Sequence, residues 1–279
     1  MTDQYSSTSA VGILDSGVGG LTVVKEVFRQ LPKEQILYFG DTLRCPYGPR
    51  SAEEVVRFTI EIIGYLSLYP LKALVIACNT ATAVALEKVR HELPVPVLGV
   101  IEPGARAAIK MSRRGRVGVI GTQGTVRSAA YESALKRIDP DIHVESLACP
   151  TLVPLVESGG EDTEQARSIV QKALAPLKKS RLDSLILGCT HYPLIADWIG
   201  REMGEDVILI SSAEETAREL STVLHHKGLH CDGPARHPGE HQFFTSGQPE
   251  LFRSIAERWL GQKVTVKHVE LPVLEENPV

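Results

Sequence analysis

The chain has no unbroken run of about 18 or more apolar residues, the length a helix needs to span a bilayer. No Cys-x-x-Cys pair occurs. The five cysteines, Cys45, Cys78, Cys149, Cys189 and Cys231, are odd in number and too scattered for a disulfide framework. Positive charge is also short. The 30 Lys and Arg against 34 Asp and Glu leave a formal charge of −4, without the basic stripe that direct nucleic-acid binding demands. Residues 1–10 (MTDQYSSTSA) lack the positive start and apolar stretch of a signal peptide and are expected to be disordered. Free thiols without a secretion signal point to the reducing cytoplasm. Each cysteine is then either a small buried apolar residue or a chemical group.

What is present fits a soluble α/β protein. The 279 residues, 43% hydrophobic, are long for one domain and comfortable for two. Short apolar runs at 11–14, 36–39, 73–77, 97–100, 117–120, 143–147, 184–187 and 207–210 read as buried strands. Amphipathic helices are expected between most of them, at 21–30, 51–69, 80–91, 125–137, 164–179 and 213–226. Ser51 and Glu54 stand at capping-box spacing. A strand from about 242, a helix over 249–260 and a strand over 263–269 complete the chain. Such alternation predicts mostly parallel sheets.

An internal repeat sharpens the reading. VGILDS at 11–16 returns as VGVIGT at 117–122, an offset of 106. The apolar run at Ile36 returns at Ile142, and ALVIACNT (73–80) returns as SLILGCTH (184–191), with Cys78 and Cys189 111 apart. Two similar α/β lobes follow, each with a cysteine beyond the carboxyl end of the same strand, where open α/β sheets place reactive groups. If the lobes face each other about a pseudo-twofold axis, the thiols converge on one cleft.

Two symmetric reduced thiols suit few chemistries. A structural zinc site needs four clustered N or S ligands, and only Cys189 and His191 are close in sequence. A cysteine hydrolase needs one nucleophile and one base and gives a second cysteine no role. Inversion of a stereocentre uses both: one group takes a proton from one face of a carbon while its counterpart delivers one to the other. The candidates to assist are Asp15, Asp41, Glu157 and His191. Asp15-Ser16 with Gly17, Gly19 and Gly20 opens a helix and offers N–H groups to a carboxylate. That spacing matches neither a P-loop nor a dinucleotide fingerprint. Thr122 is the repeat partner of Ser16 and starts the equivalent helix. Asn79, Thr80 and Thr190 flank the thiols. His225, His226, His230 and His237 read as a solvated helix end and loop rather than a metal site.

Seven segments carry a resemblance: LDSGVGGLTV (14–23), FGDTLRCPYG (39–48), LVIACNTATA (74–83), GVIEPGA (99–105), VGVIGTQGTV (117–126), CPTLVPLVE (149–157) and LGCTHYPLI (187–195). Over nearly its whole length the chain resembles the cofactor-independent glutamate racemases of bacterial cell-wall synthesis, in the aspartate/glutamate racemase family. The resemblance implies interconversion of L- and D-glutamate for peptidoglycan without pyridoxal phosphate or metal, with Cys78 and Cys189 as acid and base. It implies substrate contacts from Asp15, Ser16, Tyr47, Gly48, Asn79, Thr80, Thr190 and His191. Asp41, Glu157 and His191 would assist the thiols, with Asp15 also close to the reaction. It further implies a homodimer, a first lobe of residues 11–100 plus 211–279, and a second of residues 101–210. Leu43 and Cys45 depart from the usual pattern without reaching the chemistry; Cys45, Cys149 and Cys231 keep a structural reading. Alternatives at this level are a same-family racemase of aspartate or a hydantoin, a thiol-dependent hydrolase or lyase, and a non-catalytic binding protein.

Overall fold

The computed structural model describes residues 6–159 and 163–271. Its strands are β1 (Ala10–Asp15), β2 (Ile36–Gly40), β3 (Leu71–Ile76), β4 (Val97–Gly99), β5 (Arg116–Gly121), β6 (His143–Ala148), β7 (Ser184–Gly188), β8 (Ile208–Ser211), β9 (Gln242–Thr245) and β10 (Val266–His268). The helices are α1 (Leu21–Gln30), α2 (Ala52–Leu66), α3 (Asn79–Glu92), α4 (Ile101–Met111), α5 (Gln123–Arg127), α6 (Ala130–Ile138), α7 (Leu152–Glu157), α8 (Glu164–Leu174), α9 (Ala196–Met203), α10 (Ser212–His226) and α11 (Pro249–Leu260).

All strand pairs among the described residues are parallel, in two sheets ordered β10-β9-β2-β1-β3-β4 and β6-β5-β7-β8. The repeat read from sequence reappears as topology: β2-β1-β3-β4 in one sheet and β6-β5-β7-β8 in the other share one order. Strands β1, β3 and β7 are buried along their whole length because helices cover both faces, so they carry continuous apolar runs rather than alternation. Edge strand β6 is half-exposed and correspondingly polar.

The capping box is formed: Ser51 Oγ accepts from Glu54 N at 3.2 Å, and Ser51 N donates to Glu54 Oε2 at 3.0 Å. Helices α4, α7 and α9 were not anticipated. In α4 and α7 a proline, Pro103 or Pro154, occupies the third helical position. There the missing N–H would have had no partner anyway, so the residue that reads as a breaker is tolerated. The helix expected over 125–137 divides at Ala129, which adopts φ 53° and turns the chain between α5 and α6. The helix expected over 164–179 ends at Leu174 and continues as a 3-10 turn, because Pro176 cannot extend the α ladder.

The expected disordered tail is corrected in part. Residues 1–5 lie outside the described residues. Ser6 to Ser9 form a turn, with Ser9 N donating to Ser6 O at 2.9 Å, and Ala10 already belongs to β1. The cause is Lys72, fully buried at the start of β3, which pairs with buried Glu34 and donates to the carbonyl of Ser7. A buried ammonium needs such acceptors, and this need outweighs the polar composition of the tail. Breaking the pair from one side strands a buried charge. Lys72→Met is therefore expected to lower unfolding stability by about 3–5 kcal/mol. The double change Lys72→Met with Glu34→Gln should cost less than the single one. Denaturant titration checks both.

Candidate active site

The two sheets present the carboxyl ends of their strands to a common seam. Cys78 lies beyond β3 and caps α3, its Sγ accepting from Ala81 N at 3.5 Å; Cys189 follows β7 directly. Both thiols are buried and line one cavity. From the first sheet's loops come Ser16, Tyr47, Gly48, Asn79 and Thr80; from the second come Thr122, Thr190 and His191. The free space is about 20 Å³, which is room for roughly one water molecule. The site is thus closed and nearly dry.

Close approach across the seam explains two glycines. A Cβ on Gly19 would lie 2.4 Å from Thr190 Oγ1 and 2.5 Å from His191 Nδ1, and one on Gly48 would lie 2.8 Å from the Cβ of Thr122. Hydroxyls close the seam elsewhere. Thr80 Oγ1 is 2.8 Å from Thr122 Oγ1 and 3.2 Å from Thr125 Oγ1, while Thr22 Oγ1 donates to the Thr190 carbonyl at 3.0 Å.

The thiols have unequal surroundings. Cys78 Sγ is 3.6 Å from Ser16 Oγ. Burial, reinforced by the nearby Asp15 carboxylate, pushes its pKa up to about 12 against the pull of the Ala81 amide and the Ser16 hydroxyl. Cys78 is therefore a thiol at neutral pH. Cys189 Sγ lies 3.7 Å from His191 Nδ1, and His191 Nε2 lies 3.0 Å from Glu157 Oε1 at the end of α7. Burial alone would lower the His191 pKa. Its bonds to Cys189 and Glu157 and their negative charges outweigh burial and lift it to about 10. Glu157 is held below the ordinary carboxyl range, because the His191 bond and charge overcome its own desolvation.

Asp15 stands behind the cavity wall, fully buried. Its Oδ1 accepts from Gly20 N at 2.7 Å and from Thr190 Oγ1 at 3.2 Å. Its Oδ2 has no hydrogen-bond partner. Burial pushes the Asp15 carboxyl up despite His191 and these donors. Asn79 shows the converse: Oδ1 accepts from Tyr131 Oη at 2.7 Å, while buried Nδ2 has no partner. An acceptor is therefore left unmatched behind the cavity wall, at Asp15, and a donor on a cavity-lining residue, Asn79.

Asp41 is not brought to a thiol. Its Oδ2 accepts from Tyr47 Oη and, at 2.7 Å, from Arg44 Nε; its Oδ1 accepts from Ser246 Oγ at 2.6 Å. A fully buried carboxylate needs a nearby cation, and Arg44, three residues on, supplies it and turns Asp41 toward the Tyr47 loop. Cys45, read from sequence as lying beside the substrate loop without touching the chemistry, lines the cavity and donates from Sγ to Glu157 Oε1 at 3.4 Å. Sequence signals only its place beside Tyr47; the contact with Glu157, 112 residues away, leaves no trace in spacing. Tyr131 was missed for the same reason. Cys149 and Cys231 are buried outside the cavity lining.

The sequence model of the Asp/Glu/Hydantoin racemases matches residues 11–220. A glutamate racemase of Bacillus cereus is 55% identical over 263 residues, which is 94% of this chain and 97% of that relative. The crystal structure of a glutamate racemase isoform from Bacillus anthracis is similar with TM-score 0.92 and 56% identity, covering 96% of this chain and 100% of that one. The glutamate racemase of Francisella tularensis, in complex with D-glutamate, is similar with TM-score 0.86 and 32% identity, covering 96% of this chain and 99% of that one. Likeness over almost the entire length, in sequence and in fold together, makes the chain a member of the Asp/Glu/Hydantoin racemase family.

Proposed function

We propose that the protein interconverts L- and D-glutamate without a cofactor, by proton exchange between the α-carbon and two thiols. The observation that carries this reading is that Cys78 and Cys189, one beyond each of two equivalent strands, line a single closed cavity. The substrate ammonium is assigned to the open oxygen of Asp15. Its carboxylates go to Asn79, to the hydroxyls of Ser16, Thr80, Thr122 and Thr190, and to the Tyr47-Gly48 loop. In one direction Cys189, as thiolate beside the His191 imidazolium, takes the α-proton; Cys78 gives its proton to the opposite face of the planar carbanion. Product leaves with inverted configuration, Cys189 as thiol and Cys78 as thiolate. The reverse reaction exchanges these roles. Glu157 holds His191 in place and charged. Asp41 acts on the site through Tyr47 and not on a thiol.

The wider reading follows from that reaction. The product D-glutamate serves peptidoglycan synthesis in the cytoplasm. The protein acts as a homodimer without direct nucleic-acid contact, in keeping with its slight negative charge. The lobe division at about residues 100 and 211 is supported by the membership of β1–β4, β9 and β10 in one sheet and β5–β8 in the other.

Incubation with L-glutamate in heavy water, without added cofactor, should bring optical rotation to zero and place deuterium at the α-carbon. A requirement for pyridoxal phosphate, or faster turnover of L-aspartate, would overturn the reading. Cys78→Ala and Cys189→Ala should each lower kcat by about 10²–10⁴-fold or more, since each removes the acid or base of one face. A single-nucleophile hydrolase would tolerate one of the two.

The elevated pKa of His191 sets the direction of a pH effect. Its charged form stabilises the fold fully below the ordinary value near 6.5, and that contribution is lost as pH rises through about 10. Glu157→Gln removes one source of the elevation. The basic limb of kcat/KM should therefore move to lower pH in that variant. An unmoved limb would remove Glu157 from its assigned role.

A further inference from the structure

Asn79 is 2% exposed and its carboxamide is used unequally: the oxygen is bonded, whereas Nδ2 is buried without a partner. An unmatched buried N–H costs about 1–3 kcal/mol, so something must keep the amide from turning round to use it. That something comes from the other sheet's layer. Tyr131, 2% exposed on α6, donates its only proton to Asn79 Oδ1 at 2.7 Å. With that proton given to Asn79 Oδ1, the flipped amide would set N–H against O–H. Left-handed Ala129, two residues earlier, is the turn that aims Tyr131 at this position. A non-glycine residue there costs on the order of 1–2 kcal/mol.

We propose that Tyr131 is a positioning residue that locks the Asn79 carboxamide with its N–H edge toward the cavity, so that this point accepts a carboxylate and refuses an ammonium. The proposal rests on the amino-acid racemase reading above. It adds a link Tyr131–Asn79 that runs from α6 to α3 and makes substrate orientation depend on how the two layers meet.

The test is Tyr131→Phe, which keeps the ring and removes the proton. The KM for L-glutamate should rise about 10-fold, the equivalent of one hydrogen bond, with the loss falling on KM rather than kcat. In an Asn79→Ala background the same change should add less than about twofold, because a residue acting through Asn79 has nothing left to position. A full Tyr131→Phe effect without Asn79, or an unchanged KM with Asn79 present, overturns the proposal. The side-chain amide of Asn79, followed by 15N–1H NMR without substrate, provides a second reading. One set of amide shifts is expected in the wild type and two, or exchange broadening, in Tyr131→Phe. Identical spectra overturn the proposal even if wild-type protein proves inactive on glutamate, which would count against the activity alone.

Discussion

Two sheets that end on one seam force the residues at their strand ends to do without water, and the rest of the site follows from that. The cavity between Cys78 and Cys189 holds about 20 Å³. In so dry a space a charge persists only where a partner faces it. Asp15 has two donors and one open oxygen, Glu157 has His191 and Cys45, and Asp41 has Arg44. Cys78 has only weak donors, and burial wins: its thiol keeps its proton. The same dryness gives each surviving charge more force than it would have in water. An amino acid entering the cavity must displace little solvent but must part the seam.

Much of this was legible in the sequence because it rests on local pattern. The buried strands show as apolar runs, and the repeat offsets of 106 and 111 already align β1 with β5 and β3 with β7. The shared strand order is the same fact in three dimensions. The thiols were visible because strand ends in such sheets are where reactive groups stand. What stayed hidden has physical causes. Pro103 and Pro154 suggest breaks, yet sit where a helix needs no N–H. Ala129, an ordinary residue type, carries no sign of its left-handed backbone. The segment from Ser6 to Ser9 looks like a loose tail until the buried ammonium of Lys72 is known to require its carbonyl. Asp41 was grouped with the thiols by its place after a strand. Only the position of Arg44 shows which way its carboxylate turns. The contacts of Cys45 with Glu157 and of Tyr131 with Asn79 join distant segments and have no periodic signature.

The symmetry of the framework does not extend to the groups that serve the thiols. Cys78 is supported by a serine hydroxyl and a helix N–H, Cys189 by an imidazole backed by a carboxylate. In the proposed reaction the protein alternates between two protonation states, and these supports give the states different energies. Enantiomers, however, have equal free energies in water. The equilibrium constant is one, so kcat/KM must be equal in the two directions whatever the protein does. Unequal supports can then appear only as compensating differences in kcat and KM: the direction with the lower kcat must also have the lower KM. His191, its pKa lifted to about 10, stands beside Cys189, whereas burial and the Asp15 carboxylate push the Cys78 thiol up to about 12. Each direction of the proposed reaction starts from the opposite protonation state of the pair, and the energy between those two states is the measure of the asymmetry.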